Sequence, residues 1–284
     1  MIAAISGATG FIGQALARHL RSLGHEIIPV DRRALGLDDR TFLEQFIEGA
    51  DVVINLAGSP VAARWTHEVK AGILASRVET TRKLAGAISS AKSRPLFLSA
   101  SAIGIYDSIH RHDEESMHLA NGFLAQVCEQ WEKEARQVPS EVRLVILRLG
   151  VVLGPGGGVL GKMYRPFSLG LGGRIGSGRQ PVSFIHIDDL LAAVQHIIEQ
   201  PGIRGVVNAV APVPSTNAEF TDKLAKVLRQ PAIMAVPAFA IRMLYGEGAS
   251  VMLEGQQVVP ARLEKEGFRF RYPTIQNALV AIYR

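Results

Sequence analysis

Residues 2–13 read IAAISGATGFIG, and their order decides the fold. Ile2 to Ser6 is a short apolar run that stops at glycine, and Gly7, Gly10 and Gly13 then follow at intervals of three. From Phe11 the apolar residues Ile12, Ala15, Leu16, Leu20 and Leu23 recur at the helical period until Gly24 ends the helix. A second strand, His25 to Val30, comes next. Together these make one βαβ unit, which requires a parallel pair joined by a right-handed crossover. In that setting the first glycine permits a tight turn, the second lets the backbone approach a pyrophosphate, and the third lets helix and strand pack closely. The free N–H groups of the helix start then face the anion. Gly7, Thr9, Gly10, Phe11, Ile12 and Gly13 are the candidate dinucleotide contacts.

The pattern continues with strands at Asp51 to Leu56, Pro95 to Ser101 and Val142 to Leu149, and helical segments at His67 to Ser90 and Phe123 to Gln137. Continuous apolar strands alternating with helices specify an α/β fold, a Rossmann-type doubly wound parallel sheet. Beyond Leu149 the character changes, because residues 150–181 hold eleven glycines in 32 positions, too many for regular structure. This stretch reads as loops around a short helix near Leu160 to Leu169. Short strands at Phe184 to Ile187 and Val206 to Ala209 follow, then helices near Asn217 to Arg229, Ala238 to Tyr245, Ala261 to Glu266 and Ile275 to Ile282. The expected organisation is a dinucleotide-binding domain over residues 1–150, completed by strands from about 184–210. Residues 151–284 form a smaller, interleaved C-terminal substrate lobe with a helical module.

Composition narrows the function classes. Of 284 residues 48% are hydrophobic and 20% charged, which excludes a disordered chain. The single cysteine, Cys128, allows no internal disulfide and no cysteine-based zinc cluster, so a reducing, cytoplasmic compartment and no metal site are expected. The net charge of +5 comes from 31 basic and 26 acidic residues mixed without a basic run, so no nucleic-acid partner is expected. No apolar stretch approaches the roughly 18 residues of a membrane span, and MIAAISGATG has no basic region before its apolar residues, so neither a membrane partner nor a signal peptide is expected. The expected ligand is a small molecule carrying phosphate, and the expected state is a monomer or homodimer.

Cofactor choice is contested within three residues. Asp31 ends the second strand, where a carboxylate accepts hydrogen bonds from the adenosine ribose and favours NAD. Arg32 and Arg33 follow, and their guanidinium forks suit the 2′-phosphate of NADP.

The words ISGATGFIG at Ile5, NLAG at Asn55, SRVETT at Ser76, FLAQVCEQWE at Phe123, LRLGVVLGPGGG at Leu147, LGLGGRIGSGRQ at Leu169, FIHIDD at Phe184 and LEGQQVVPARLEKEGFRFRYP at Leu253 span the chain end to end. They resemble the extended and atypical short-chain dehydrogenase/reductases, and within them the epimerase-like family with a small C-terminal module (the NAD-dependent epimerase/dehydratase superfamily). The resemblance implies a Rossmann fold, NAD(P) binding and nominal nucleoside-diphosphate-sugar epimerase activity. It implies that Asp31 and Arg32 hold the adenosine half, although the family usually has a small hydroxyl residue before that arginine, an arrangement suited to NADP. Leu56, Ala57 and Gly58 would line the adenine-to-ribose path, Arg77 would reach the cofactor from the following helix, and Val152 would lie beside the nicotinamide.

One departure outweighs the matches. The superfamily uses Tyr-x-x-x-Lys on the helix after the fourth strand, where i and i+4 share a face and the ammonium depresses the phenol pKa. Here that helix begins Phe123, Leu124, Ala125, Gln126, Val127, Cys128, and no Tyr-x-x-x-Lys occurs anywhere in the chain. Ser101 ends the fourth strand at the place of the superfamily's substrate-polarising hydroxyl, and Tyr106 on the next loop is the candidate replacement phenol. Cys128 reads as a small core residue. In FIHIDD, His186 is a group that titrates near neutrality, while Asp188 and Asp189 look like helix-capping carboxylates. Lys162, Arg174, Arg179 and His186 are the candidate substrate contacts, because glycines and forked cations between Gly172 and Arg179 suit a phosphate or carboxylate. The leading reading is an NAD(P)-dependent oxidoreductase or epimerase acting on a small, anionic or nucleotide-sugar-like substrate. The alternative is a non-catalytic NAD(P)-binding sensor or scaffold.

Overall fold

A computed structural model of the chain describes residues 1–31, 35 and 40–284. Arg32 and Arg33 lie outside the described residues. The first βαβ unit forms as its periodicity requires, with β1 (Ile2–Ser6), helix α1 (Phe11–Ser22) and β2 (Glu26–Val30). β3 (Val52–Asn55) is buried at every position and β4 (Leu96–Ala102) at all but its last, as strands covered on both faces must be. With the strands Leu144–Leu149 and Gly205–Ala209 they form a six-stranded, wholly parallel sheet. Its order is Gly205–Ala209, Leu144–Leu149, β4, β3, β1, β2.

Two cores sandwich this sheet. On one face α1 and helix Ile187–Glu199 pack Leu16, Leu20, Leu190 and Val194 against Ile5, Ile54 and Leu98. On the other, Leu84 and Ile88 of helix His67–Ser90 and Ala135 of helix Phe123–Ala135 pack against Val53, Phe97 and Ile146. A third core, around Phe167, Phe184, Phe220 and Leu279, belongs to the C-terminal region and its helices Gly158–Ser168, Asn217–Leu228 and Ile275–Tyr283. Among the described residues no helix is long and apolar enough to cross a membrane.

The structure corrects two expectations. The strand read as Phe184 to Ile187 is Phe184–His186, and it pairs with Val151–Leu153 instead of joining the large sheet. Gly150, where the chain leaves the sheet, permits the close approach this needs: a Cβ there would lie 2.7 Å from both the Ser183 carbonyl and the Val210 side chain. The glycine-rich stretch is also more regular than its composition suggests, holding an eleven-residue helix, Gly158–Ser168, and a strand, Gly173–Ile175, paired with Met234–Val236.

Candidate functional site

The strand order β2, β1, β3 places a reversal between β1 and β3, and doubly wound sheets bind ligands in the crevice beyond the strand ends at such a point. Two loops meet there. After β1 the chain turns through Gly7 at φ +80°, a conformation that favours glycine, and a Cβ on Gly7 would lie 2.8–2.9 Å from the Leu56–Ala57 backbone. Gly10 donates its N–H to the Gly7 carbonyl at 3.0 Å. Gly13 brings the first turn of α1 so close that a Cβ would lie 2.1 Å from the same carbonyl oxygen. Gly10 is the helix N-cap and offers no capping side chain, and no acidic residue lies in the first turn. The helix thus presents its positive end beside exposed Thr9 and Gly10. Phe11 and Ile12 contribute backbone there, since their side chains pack into the core.

The opposite wall follows β3. Buried Asn55 donates to Thr81 Oγ1 at 2.7 Å and accepts from the Ala57 N–H at 3.3 Å, while Leu56 N–H donates to the Ser6 carbonyl at 2.9 Å. Arg77 braces the next step: its guanidinium donates to the carbonyls of Ser59 (3.0 Å) and Ile73 (3.1 Å) and lies 5.3 Å from the Trp131 ring centre. Gly58 is where it passes, because a Cβ there would lie 2.9 Å from the guanidinium carbon. Burial pushes the Arg77 pKa down. Arg77 therefore shapes the loop that Leu56, Ala57 and Gly58 form. Asp31 is exposed at the end of β2, and Val152 is half-buried on its short strand.

The two expected catalytic hydroxyls are placed differently. Ser101 and Tyr106 are buried, at 1% and 0% exposure, inside a polar network. Ser101 donates to Glu132 Oε1 at 2.8 Å, and Arg148 forks onto the same carboxylate at 2.7 and 2.9 Å. Arg148 also donates to the Tyr106 hydroxyl at 2.8 Å, and that hydroxyl in turn donates toward Asn208 Oδ1 and the Asp113 carbonyl, each at 3.0 Å. Burial raises the Glu132 pKa, but the Arg148 fork with Ser101 and Arg136 more than reverses this, leaving the carboxyl below its ordinary value. Burial pushes the Tyr106 phenol up, away from use as a base near neutrality. In this structure both hydroxyls are engaged within the network. Buried Cys128 is likewise pushed up to about 11 by burial, in keeping with a core thiol.

At the start of helix Phe123–Ala135, where the superfamily's tyrosine would be sought, stands a cluster that sequence reasoning missed. The Phe123 ring meets Trp65 edge-on at 5.1 Å, and Lys70 Nζ lies 5.4 Å from the Phe123 ring centre. Lys70 is paired with Glu247, and Arg64 donates to the Met243 carbonyl at 2.9 Å, so the C-terminal module closes over these loops. Gly248 permits the approach, as a Cβ would lie 2.2 Å from the Ala63 carbonyl oxygen. Lys70 and Glu247 are 177 residues apart, and no local pattern connects them.

The expected substrate contacts lie on separate elements. Lys162 is exposed on helix Gly158–Ser168. Arg174 lines a groove with Thr221, Lys226, Arg229 and Met234, a group that does not include exposed Arg179. His186 orders its corner of the fold: it is 3% exposed, its Nδ1 caps helix Ile187–Glu199 by accepting from the Asp188 N–H at 3.1 Å, and its ring lies 4.0 Å from Tyr272. Asp189, expected as a cap, instead accepts the Arg271 and Tyr272 N–H groups at 2.9 Å each.

Comparison with known proteins agrees with this architecture. The family model of the NAD dependent epimerase/dehydratase family matches residues 3–209, and a domain of unknown function, DUF1731, matches residues 236–282. Epimerase family protein SDR39U1 of Mus musculus is 39% identical over 285 residues, 97% of each chain. The Arabidopsis thaliana protein named epimerase family protein SDR39U1 homolog, chloroplastic, is 38% identical over 300 residues, 99% of this chain and 86% of that one. A crystal structure of human epimerase family protein SDR39U1 (isoform 2) with NADPH superposes at a TM-score of 0.92 with 34% identity, covering 100% of this chain and 99% of that one. With a matching family model over most of its length and relatives of this identity along nearly all of it, the chain belongs to the NAD dependent epimerase/dehydratase family.

Proposed function

We propose that the crevice between the β1 and β3 loops binds a nicotinamide dinucleotide, NADPH before NADH. The protein then acts in a reducing compartment such as the cytoplasm as an oxidoreductase or epimerase on a small anionic or nucleotide-sugar-like substrate. The observation that carries the reading is the helix start at Gly10: an uncapped positive end, flanked by Gly7, which leaves no room for a Cβ against the opposite loop, and by Gly13, which leaves none against the Gly7 carbonyl. Gly7, Thr9, Gly10 and the N–H groups of Phe11, Ile12 and Gly13 would take the pyrophosphate, and Leu56, Ala57 and Gly58 the adenosine side. NADPH is placed first because the human relative was crystallised with it and because Arg32 and Arg33 suit a 2′-phosphate; Asp31 opposes that preference. The bound cofactor supplies hydride. In the absence of the Tyr-x-x-x-Lys pair, Lys70 over Phe123 is the cation held at the start of the relevant helix to receive a substrate anion or polarise its oxygen.

Burial of Ser101 and Tyr106 favours a second reading, a dinucleotide-binding sensor without turnover. Separate fluorescence titrations with NADPH and NADH test the shared part, and binding of neither refutes both readings. Hydride transfer across a panel of nucleotide sugars and carboxylated sugars, compared with Lys70→Met, then separates enzyme from sensor.

A further inference from the structure

The loop between β4 and helix Phe123–Ala135 carries His110, His112 and His118 within the run YDSIHRHDEESMH, residues 106–118. Their proton-binding nitrogens do not all face the same way. His112 is buried and fully engaged: its ring stacks on Tyr106 at 4.6 Å, Nδ1 meets Ser116 Oγ at 2.8 Å, and Nε2 meets the Asp107 carbonyl at 3.1 Å. His110 and His118 are exposed, and with Asp107 they bring one ligand atom each to within 4.8 Å of one another.

The backbone braces this trio. Tyr106 and Leu119 form an antiparallel bridge, Asp107 N–H donates to the His118 carbonyl at 3.2 Å, and Ala120 N–H to the Ile105 carbonyl at 2.9 Å. Asp107 Oδ1 accepts the N–H groups of Ile109 and His110 at 2.9 Å each, leaving Oδ2 2.7 Å from His110 Nδ1. The His110 ring lies over the His118 ring at 4.0 Å and 18°. Below, the strand Arg111–His112 pairs with Gln257–Val258 of the C-terminal module.

We propose that Asp107, His110 and His118 form a binding site for a divalent transition metal of the zinc class, completed by water and distinct from the dinucleotide crevice. Two imidazole nitrogens and one carboxylate oxygen suit Zn²⁺, Ni²⁺ or Cu²⁺ and disfavour Mg²⁺ and Ca²⁺, which take oxygen donors. Bonds of about 2.0–2.2 Å in a tetrahedron hold neighbouring donors roughly 3.3 Å apart. The Asp107–His110 pair at 2.7 Å has to open slightly and the other separations, at most 4.8 Å, have to close, which rotation of two exposed rings supplies. The ion replaces the Asp107–His110 hydrogen bond and ties the two arms of the loop together, the one that carries His110 and the one that carries His118.

The test uses the untagged full-length protein, titrated calorimetrically with ZnCl₂, with Co²⁺ absorption as a second readout and MgCl₂ as the negative control. One Zn²⁺ per chain is expected. His110→Ala and His118→Ala should each weaken binding at least about tenfold, since losing a ligand costs no less than losing a group that merely orients one. His67→Ala, at an exposed histidine elsewhere, should leave binding unchanged. Both loop histidines are exposed, so circular dichroism is expected to show the parent fold in each variant. Absence of stoichiometric Zn²⁺ binding, or binding that survives the His110→Ala/His118→Ala double substitution, overturns the proposal.

Discussion

Replacing Gly10 with alanine separates what the first glycine cluster does for the fold from what it does for a ligand. Gly10 has φ −75° and ψ 170°, which alanine adopts freely, and the new Cβ would meet only the Gly7 carbonyl oxygen, at 3.3 Å. A few tenths of an ångström relieve that contact, and alanine for glycine at an N-cap costs under about 1 kcal/mol. The melting temperature should therefore fall by no more than roughly 2–4 °C. Gly13→Ala is the contrast. Its Cβ would lie 2.1 Å from the Gly7 carbonyl oxygen and 2.8 Å from Ala8 Cα, both backbone. Turn and helix would have to part by about 1 Å, an overpacking cost of roughly 1–3 kcal/mol. If the helix start holds a pyrophosphate, the Gly10 methyl occupies its line of approach and should weaken NADPH binding at least tenfold, about 1.4 kcal/mol, with the fold intact. Fluorescence titration with NADPH and thermal melts on the parent, Gly10→Ala and Gly13→Ala provide both readouts. Gly10→Ala protein that binds NADPH as tightly as the parent would refute the cradle.

Glu132→Ala leaves Arg148 buried without its carboxylate and should cost about 3–5 kcal/mol, seen as a large drop in melting temperature. Tyr106→Phe should cost about 1–3 kcal/mol while NADPH affinity stays at the parent value; a stable variant with lost affinity or turnover would return Tyr106 to the active site. Stability should also depend on pH through two groups. Glu132, held below its ordinary value, contributes stability that is present above about pH 4.3 and is lost as pH falls through its folded pKa. His186, pushed down by burial, stays neutral in the folded protein, so stability falls as pH drops below about 6.5 toward its folded pKa. His186→Asn keeps a cap acceptor for the Asp188 N–H and should flatten that upper part of the curve in pH-resolved melts. Gly157→Ala would drive a methyl to 2.2 Å from the Phe11 ring, so it should lower NADPH affinity as well as stability, measured by the same titration.

The parts of the molecule written in local order were legible from the chain. β1, the glycine turn and α1 fall within twenty-two residues, and the departure from Tyr-x-x-x-Lys was plain at Phe123. What escaped was long-range pairing, though one clue was on view. Arg148 interrupts the apolar run VRLVILRL, and a guanidinium inside a buried strand demands a carboxylate facing it. Glu132, on the neighbouring helix, is that partner, and together they draw Ser101 and Tyr106 inward. Composition was equally ambiguous about the second glycine cluster. A ligand loop and a slot for a flat side chain both exclude Cβ atoms, and sequence alone does not tell them apart. Here the slot accounts for several of the glycines: Gly154 and Gly157 bracket the Phe11 ring, and Gly172 lies against Phe167. Phe11 is also the first residue of α1 beyond Gly10. The cluster thus packs the chain around Gly154 and Gly157 directly on the helix start that faces the crevice.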